Sequence, residues 1–370
     1  MKFVVDDKIP YIKGLLEPFA DVKYLPGKSI SSSDVKDVDA LVVRTRTKCD
    51  ESLLSGSSVR AVFTATIGFD HIDISYCGAN GIHWQSAPGC NSSSVQQYVA
   101  SVLSALHQDG KINIPKATIA VVGVGNVGTK VADWCEMLGM KVLLVDPLKK
   151  MSCPSRYVDL DVALPQADVV TFHTPLTRNG EFPTYHLLDF STVKLLKKGA
   201  VVLNTSRGEV CSTEALLWGL ESGWISDVVV DVWENEPNIN LDLLSKSYIA
   251  TPHVAGYSYD SKRNGTEMSL KALNDFFALG MTSFVSGVLP EPVNSLVHVD
   301  PELCDIDAAC QMFLYTYNVR EESIFFKSHP ESFEQYRGDY PLRREIGAYV
   351  LPADCRQISF LTKFGVQCPR

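Results

Sequence analysis

The chain has 370 residues, 45% of them apolar, and a formal net charge of −9. At ~100–200 residues per domain, this allows two or three domains with ordinary apolar cores. The acidic balance argues against nucleic acid or an anionic membrane surface as the main partner, and no apolar run approaches the ~18 residues of a membrane span.

The opening Met1-Lys2-Phe3-Val4-Val5-Asp6-Asp7 reads as a short buried strand, too acidic and too poor in apolar length for a secretory signal. The expected location is therefore cytoplasmic. A helical stretch is expected over residues 10–19, a loop over the serine patch 29–33, and strands over 40–43 and 61–65. After the turn Ala87-Pro88-Gly89-Cys90-Asn91, a helix is expected over 92–108. Further strands are expected over 142–145, 169–172, 201–203, 228–230 and 248–250, with a helix over 213–222. A long helix follows Tyr257 to about residue 279, and Pro290-Glu291-Pro292 marks a linker. The last residues mix helix and strand, with a strand at 349–351.

This alternation implies an α/β fold: two Rossmann-like lobes, each a doubly wound parallel sheet, followed by a small C-terminal α+β domain. The expected division is 1–93 plus 258–285, then 94–257, then 286–370. A cleft between the first two lobes is the expected active site.

The most informative segment is Ile119-Ala120-Val121-Val122-Gly123-Val124-Gly125-Asn126-Val127-Gly128. An apolar, β-branched run enters Gly-x-Gly-x-x-Gly, where a helix is expected to begin. Gly123 allows the tight turn, Gly125 lets the backbone approach a pyrophosphate, and Gly128 lets helix and strand pack closely. The first helical turn offers free N–H groups and a positive dipole end. Asp146 closes the next strand, 23 residues beyond Gly123 and near the expected ~20. Its carboxylate can accept both ribose hydroxyls and would repel a 2′-phosphate, so the expected cofactor is NAD.

Three segments after later strands carry chemistry: Asn204-Thr205-Ser206-Arg207-Gly208, Asp231-Val232-Trp233-Glu234-Asn235-Glu236-Pro237 and Thr251-Pro252-His253-Val254-Ala255-Gly256-Tyr257. Taken singly, Arg207 could be a helix-entry arginine in a surface ion pair, the acids solvated loop residues, and His253 structural. Together they follow successive strands of one sheet, where ligands bind at the carboxyl ends. Oxidation of an alcohol by hydride transfer needs a base for the hydroxyl proton, and a neutral histidine suits that role near pH 7. A glutamate would orient the imidazole and stabilise its cationic form. An arginine would grip a carboxylate through paired hydrogen bonds.

With these motifs the chain resembles the D-2-hydroxyacid dehydrogenase family. The resemblance covers most of residues 1–280 and includes Thr66-x-Gly68-x-Asp70-His71-x-Asp73 and Pro88-Gly89-x-Asn91. It implies that Arg207, Glu236 and His253 are the catalytic trio. A narrower branch is similar at Val42-Val43-Arg44-Thr45-x-Thr47-Lys48, Thr64-Ala65-Thr66, Thr171-Phe172-His173-Thr174-Pro175-Leu176 and His253-x-Ala255-Gly256-Tyr257. That branch implies oxidation of 4-phospho-D-erythronate at C2 to (R)-3-hydroxy-2-oxo-4-phosphooxybutanoate in vitamin B6 biosynthesis. It also implies a substrate-binding first lobe, an NAD-binding second domain and a homodimer formed through the C-terminal domain. Thr45, Thr66 and Tyr257 would contact substrate, with Arg44 a candidate for the phosphate. Gly123, Gly125, Asn126, Val127, Gly128, Asp146, Thr174, Ser206, Arg207, Gly208, Asp231 and Gly256 would contact NAD. Val95-Gln96-Gln97-Tyr98 departs from the Val-x-Glu-Tyr type of sequence, and Thr205-Ser206 stands where Ala-Cys is common.

In an extended segment Arg44, Arg46 and Lys48 would alternate onto one face, a cationic wall suited to a phosphate beside a carboxylate. A solvated edge is the plainer alternative. The ten cysteines include no Cys-x-x-Cys; they read as reduced, mostly buried thiols, and no metal is expected. Two other functions fit the same trio. One is dehydrogenation of 3-phosphoglycerate or a glyoxylate-type acid; the other is an NAD-sensing, corepressor-like scaffold.

Overall fold

The computed structural model describes residues 1–368. They form two compact units: Met1–Asn91 with Ser258–Pro290, and Ser92–Tyr257 with the described residues from Glu291 on. Each unit is built on a parallel sheet.

The first sheet holds β1 (Lys2–Asp6), β2 (Asp21–Leu25), β3 (Ala40–Val43), β4 (Ala61–Thr64) and β5 (His83–Gln85), in the order β2-β1-β3-β4-β5. The second holds β6 (Thr118–Val122), β7 (Lys141–Val145), β8 (Val169–Phe172), β9 (Ala200–Asn204), β10 (Ile225–Val230) and β11 (Ile249–Ala250), in the order β11-β10-β9-β8-β6-β7. Every pairing within both sheets is parallel. The central strands β3, β4, β8 and β9 are buried at every residue. This is why they appear in the sequence as unbroken apolar runs rather than alternating ones. The strand order reverses at β6, between β7 and β8, which makes a topological switch point at that carboxyl edge.

The helices Ser92–Gln108 and Thr213–Ser222 lie where the sequence places them. The long helix runs Tyr259–Phe277 and starts at a serine cap, Ser258 Oγ accepting from Ser261 N at 2.8 Å.

Several expectations are corrected. Residues 10–19 form consecutive turns, not a helix. Tyr11 (φ 61°) and Gly14 (φ 84°) adopt left-handed conformations that break a helical run. Ile9, Ile12 and Leu16 are buried all the same, so their helix-like spacing reports burial. The 29–33 patch is not a plain loop. It includes the end of a 3₁₀ turn and the start of the helical turn Ser32–Val35, where Asp34 accepts from Ser31 N at 3.1 Å. The edge strands β2 and β5 were not anticipated; half exposed, they carry little apolar signal.

The C-terminal segment, expected as a mixed α+β domain of its own, is mainly helical, with helices Asp305–Thr316 and Val319–Ser328. The strand expected at 349–351 is reduced to Val350, which bridges Leu296 and Gln367. Its apolar residues join the core of the second unit: Phe313 stacks on Trp134 of the helix Asn126–Met137 at 5.2 Å between centroids, and Phe364 packs edge-on against Phe313. Six cysteines are buried and none is disulfide-bonded among the described residues. Among the described residues, no helix is long and apolar enough to cross a membrane.

A Cβ at position 128 would lie 2.0 Å from the Gly123 carbonyl oxygen. Gly128→Ala should therefore destabilise the fold by about 1–3 kcal/mol. Urea unfolding monitored by tryptophan fluorescence checks this, and an unchanged midpoint would contradict the close helix–strand contact.

Candidate active site

At the switch point, β6 ends in Gly123 (φ 86°), whose N–H bonds Val145 O at 2.8 Å. A Cβ there would come within 2.8 Å of the His173 backbone and of Thr174 Cγ2. Gly123 and Gly128 are thus glycines because the protein leaves no room for anything else. Gly125 differs: nothing lies within 4 Å of its Cβ position, and it is exposed, as is Asn126 at the start of the helix. Val127 packs against the core. The Thr174 hydroxyl is buried without a hydrogen-bond partner, unusual for a buried polar atom. Asp146 accepts Val124 N and Lys149 N, both at 3.1 Å. Those bonds fix the half-buried carboxylate at the end of β7 and leave it further acceptor capacity.

Three strands away, Arg207 follows β9. Asn204 holds that loop: its Nδ2 donates to Arg207 O at 2.8 Å, and its Oδ1 accepts from Ser206 N and Oγ. The Arg207 guanidinium donates to Ser206 O at 2.8 Å. A Cβ on Gly208 would sit 2.0 Å from the Trp233 backbone, so glycine is required there.

Glu236 follows β10 and His253 follows β11. His253 Nδ1 lies 2.8 Å from Glu236 Oε2, and Glu236 Oε1 accepts from Trp233 N at 2.9 Å. The second unit therefore brings the expected pair into direct contact. Burial would raise the Glu236 pKa, but the charge of protonated His253, the hydrogen bonds from His253 and Trp233, and the charge of Arg337 together hold it below the ordinary value.

His253 sits at φ 59°, in a loop tied to Asp231. Asp231 O accepts His253 N at 2.6 Å, while its carboxylate accepts Thr251 Oγ1 (2.6 Å), Val254 N (2.8 Å) and Ala255 N (3.1 Å). Burial pushes the Asp231 carboxyl above its usual range. Gly256 and Tyr257 complete the loop.

Arg44, Thr45 and Thr66 belong to the first unit, just beyond β3 and β4. The alternating cationic face is not formed: β3 stops at Val43, and Thr47 N bonds back to Arg44 O at 3.2 Å in a turn. Arg44 donates to Lys8 O, and the exposed Lys48 pairs with Asp50. Thr66 is braced by its bond to Gly68 O and by Thr64, which also contacts His71.

Sequence reading missed two arginines of the C-terminal segment. Arg343 donates to Ala255 O (2.6 Å) and Ser94 O (3.0 Å), its Nε reaches Gln97 Oε1, and its guanidinium lies 3.9 Å from the Tyr317 ring centroid. Arg337 Nη2 is 3.5 Å from Tyr257 OH, and its Nη1 is 3.9 Å from Glu236 Oε2. Nothing local marks either one, because Arg337 meets Tyr257 across 80 residues of chain.

Residues 94–255 match the family model described as D-isomer specific 2-hydroxyacid dehydrogenase, NAD binding domain. The chain is 51% identical over 351 residues to the erythronate-4-phosphate dehydrogenase of Bacteroides fragilis, covering 94% of this chain and 98% of that protein. This chain belongs to the erythronate-4-phosphate dehydrogenase family. The Proteus mirabilis member is 39% identical over 358 residues, 96% of this chain and 95% of its own length. Among solved structures, the NAD-bound 3-phosphoglycerate dehydrogenase of Entamoeba histolytica aligns with a TM-score of 0.64 at 23% identity, over 78% of this chain and 99% of that one. The D-lactate dehydrogenase of Aquifex aeolicus, complexed with NAD and lactic acid, aligns at 0.61 and 24% identity, over 78% and 100%. At that identity the solved structures speak for the fold alone.

A carboxylate held low adds stability that is present above its unfolded pKa, near 4.5, and lost as pH falls through the lower folded value. Glu236→Gln should therefore be less stable than the parent at pH 7, with a smaller gap at an acid pH below 4.5. Urea midpoints at the two pH values check this; a gap independent of pH would mean that Glu236 is not held ionised by its neighbours.

Proposed function

We infer that the chain oxidises 4-phospho-D-erythronate at C2 to (R)-3-hydroxy-2-oxo-4-phosphooxybutanoate, with NAD as acceptor, as a step of vitamin B6 biosynthesis. We place it in the cytoplasm as a homodimer. One observation carries the chemistry: a His253–Glu236 pair stands at the same sheet edge as a nucleotide cradle. The unpartnered Thr174 hydroxyl fits a dinucleotide, since the protein's own packing does not explain it, and the exposed Gly125 leaves its backbone open to close approach.

In this reading the N-terminus of the helix that begins at Asn126, with Gly123, Gly125, Val127 and Gly128, would hold the pyrophosphate of the cofactor. Asp146 accepts the ribose hydroxyls. Thr174, Ser206, Arg207, Gly208, Asp231 and Gly256 complete the cofactor contacts. Arg207 grips the substrate carboxylate and polarises the forming carbonyl. His253 Nε2 takes the C2 hydroxyl proton, since Nδ1 is already engaged by Glu236. Glu236 fixes the imidazole and balances the charge that it gains. NAD, when bound, accepts the hydride from C2. Thr45, Thr66 and Tyr257, with Arg44, contact the rest of the substrate.

The test is turnover of a panel (4-phosphoerythronate, 3-phosphoglycerate, D-lactate and D-glycerate) with NAD, read as nicotinamide reduction and as product. Preference for 4-phosphoerythronate is expected; turnover of none, with NAD bound, would sink the reading. His253→Ala should lower kcat by ~10²–10⁴ with NAD affinity nearly unchanged, and an unaltered rate would remove it as the base. Asp146→Ala should shrink the preference for NAD over NADP at least about 10-fold, the loss of roughly one charge-assisted hydrogen bond. An unchanged ratio of dissociation constants would contradict the ribose contact.

A further inference from the structure

A phosphorylated substrate requires a cationic group for its phosphate, and the first unit's cationic segment does not form the expected face. The two tail arginines differ sharply as alternatives. Arg343 is spent: its donors reach backbone oxygens of Ala255 and Ser94, the side chain of Gln97 and Tyr340 OH, and its plane lies on Tyr317. Arg337, on the short helix Phe333–Gly338, keeps bonding capacity in reserve. Its side chain is only 19% exposed, yet every polar contact it makes is long: Tyr257 OH at 3.5 Å, Glu334 Oε1 at 3.8 Å and Glu236 Oε2 at 3.9 Å. Its guanidinium stands 5.7 Å from the Phe333 ring centroid, and its Nε is buried with no partner. A buried guanidinium normally satisfies its five donors. Here two carboxylates share its charge without taking up its hydrogen bonds.

The geometry points to Arg337 as a substrate-binding residue that, with the Tyr257 hydroxyl, receives the phosphate of the phosphorylated 2-hydroxyacid. The inference rests on the reading above, in which Tyr257 contacts substrate and Glu236 orients the base. Arg337 touches both, so a phosphate drawn to it lies beside the reacting end. A planar guanidinium whose Nη contacts are all long can turn paired donors to two phosphate oxygens in a way that a lysine does not.

The experiment compares kcat/KM for 4-phosphoerythronate and for unphosphorylated erythronate in the parent protein, Arg337→Gln and Arg337→Lys. NAD titration reports that each variant is folded. Arg337→Gln should reduce the preference for the phosphorylated acid by ~10²-fold, mostly through KM, the scale of one charge-assisted contact of about 3 kcal/mol. Arg337→Lys should reduce it by a smaller factor, and it carries the test if the glutamine variant fails to fold. A positioning role acting only through Glu236 would lower both substrates by the same factor and leave the preference intact; that result overturns the assignment. Absence of any preference in the parent protein would instead defeat the substrate reading, and this inference with it.

Discussion

The sheet edge that carries Glu236 and His253 depends on one buried carboxylate. Asp231 lies at the end of β10, and its side chain is met by the hydroxyl of Thr251 and the N–H groups of Val254 and Ala255. A buried acceptor left unpaired costs about 1–3 kcal/mol, so the loop after β11 must close around this group. That closure holds His253 at a positive φ, a conformation that an ordinary side chain adopts only when its surroundings impose it. It also turns Nδ1 onto Glu236. The constraint reaches further inward: Thr251 Oγ1 lies 2.8 Å from Tyr98 OH, and Trp233 Nε1 donates to Thr251 O. The long helix Ser92–Gln108 and the loop after β10 are thereby bound to the same point.

The second unit handles its buried charges in opposite ways. Arg343 is driven among carbonyl oxygens and an aromatic face, where its donors are satisfied and the His253 loop gains a brace at Ala255. The neutral amide of Gln97 accepts from Arg343 Nε while donating to Thr316 Oγ1 and Arg344 O. Arg337 is enclosed without being satisfied. The segment carrying both arginines shares a core with the nucleotide helix through Trp134, Phe313 and Phe364. The tail is therefore part of the architecture of the sheet edge that carries Glu236 and His253.

Central strands and the glycine motif were readable because their causes are local. A strand covered on both faces must be apolar throughout, and a turn from strand to helix that brings Gly128 onto Gly123 admits no side chain. The edge strands β2 and β5 were not readable, since a half-exposed strand needs no apolar run. Residues 10–19 misled for a related reason: the spacing of Ile9, Ile12 and Leu16 satisfies burial in a series of turns as well as it would in a helix.

Local composition determined the parallel α/β plan, the nucleotide cradle and the acid at Asp146. It also placed Arg207, Glu236 and His253 after successive strands, because a parallel sheet delivers all its carboxyl ends to one edge. Tertiary structure alone decided that Glu236 and His253 touch, that Arg44 and Lys48 do not share a cationic face, and that Arg337 and Arg343 approach the loop that carries His253. Those outcomes depend on how a strand ends and on contacts between residues far apart in the chain, which no short-range pattern of apolar and polar residues encodes.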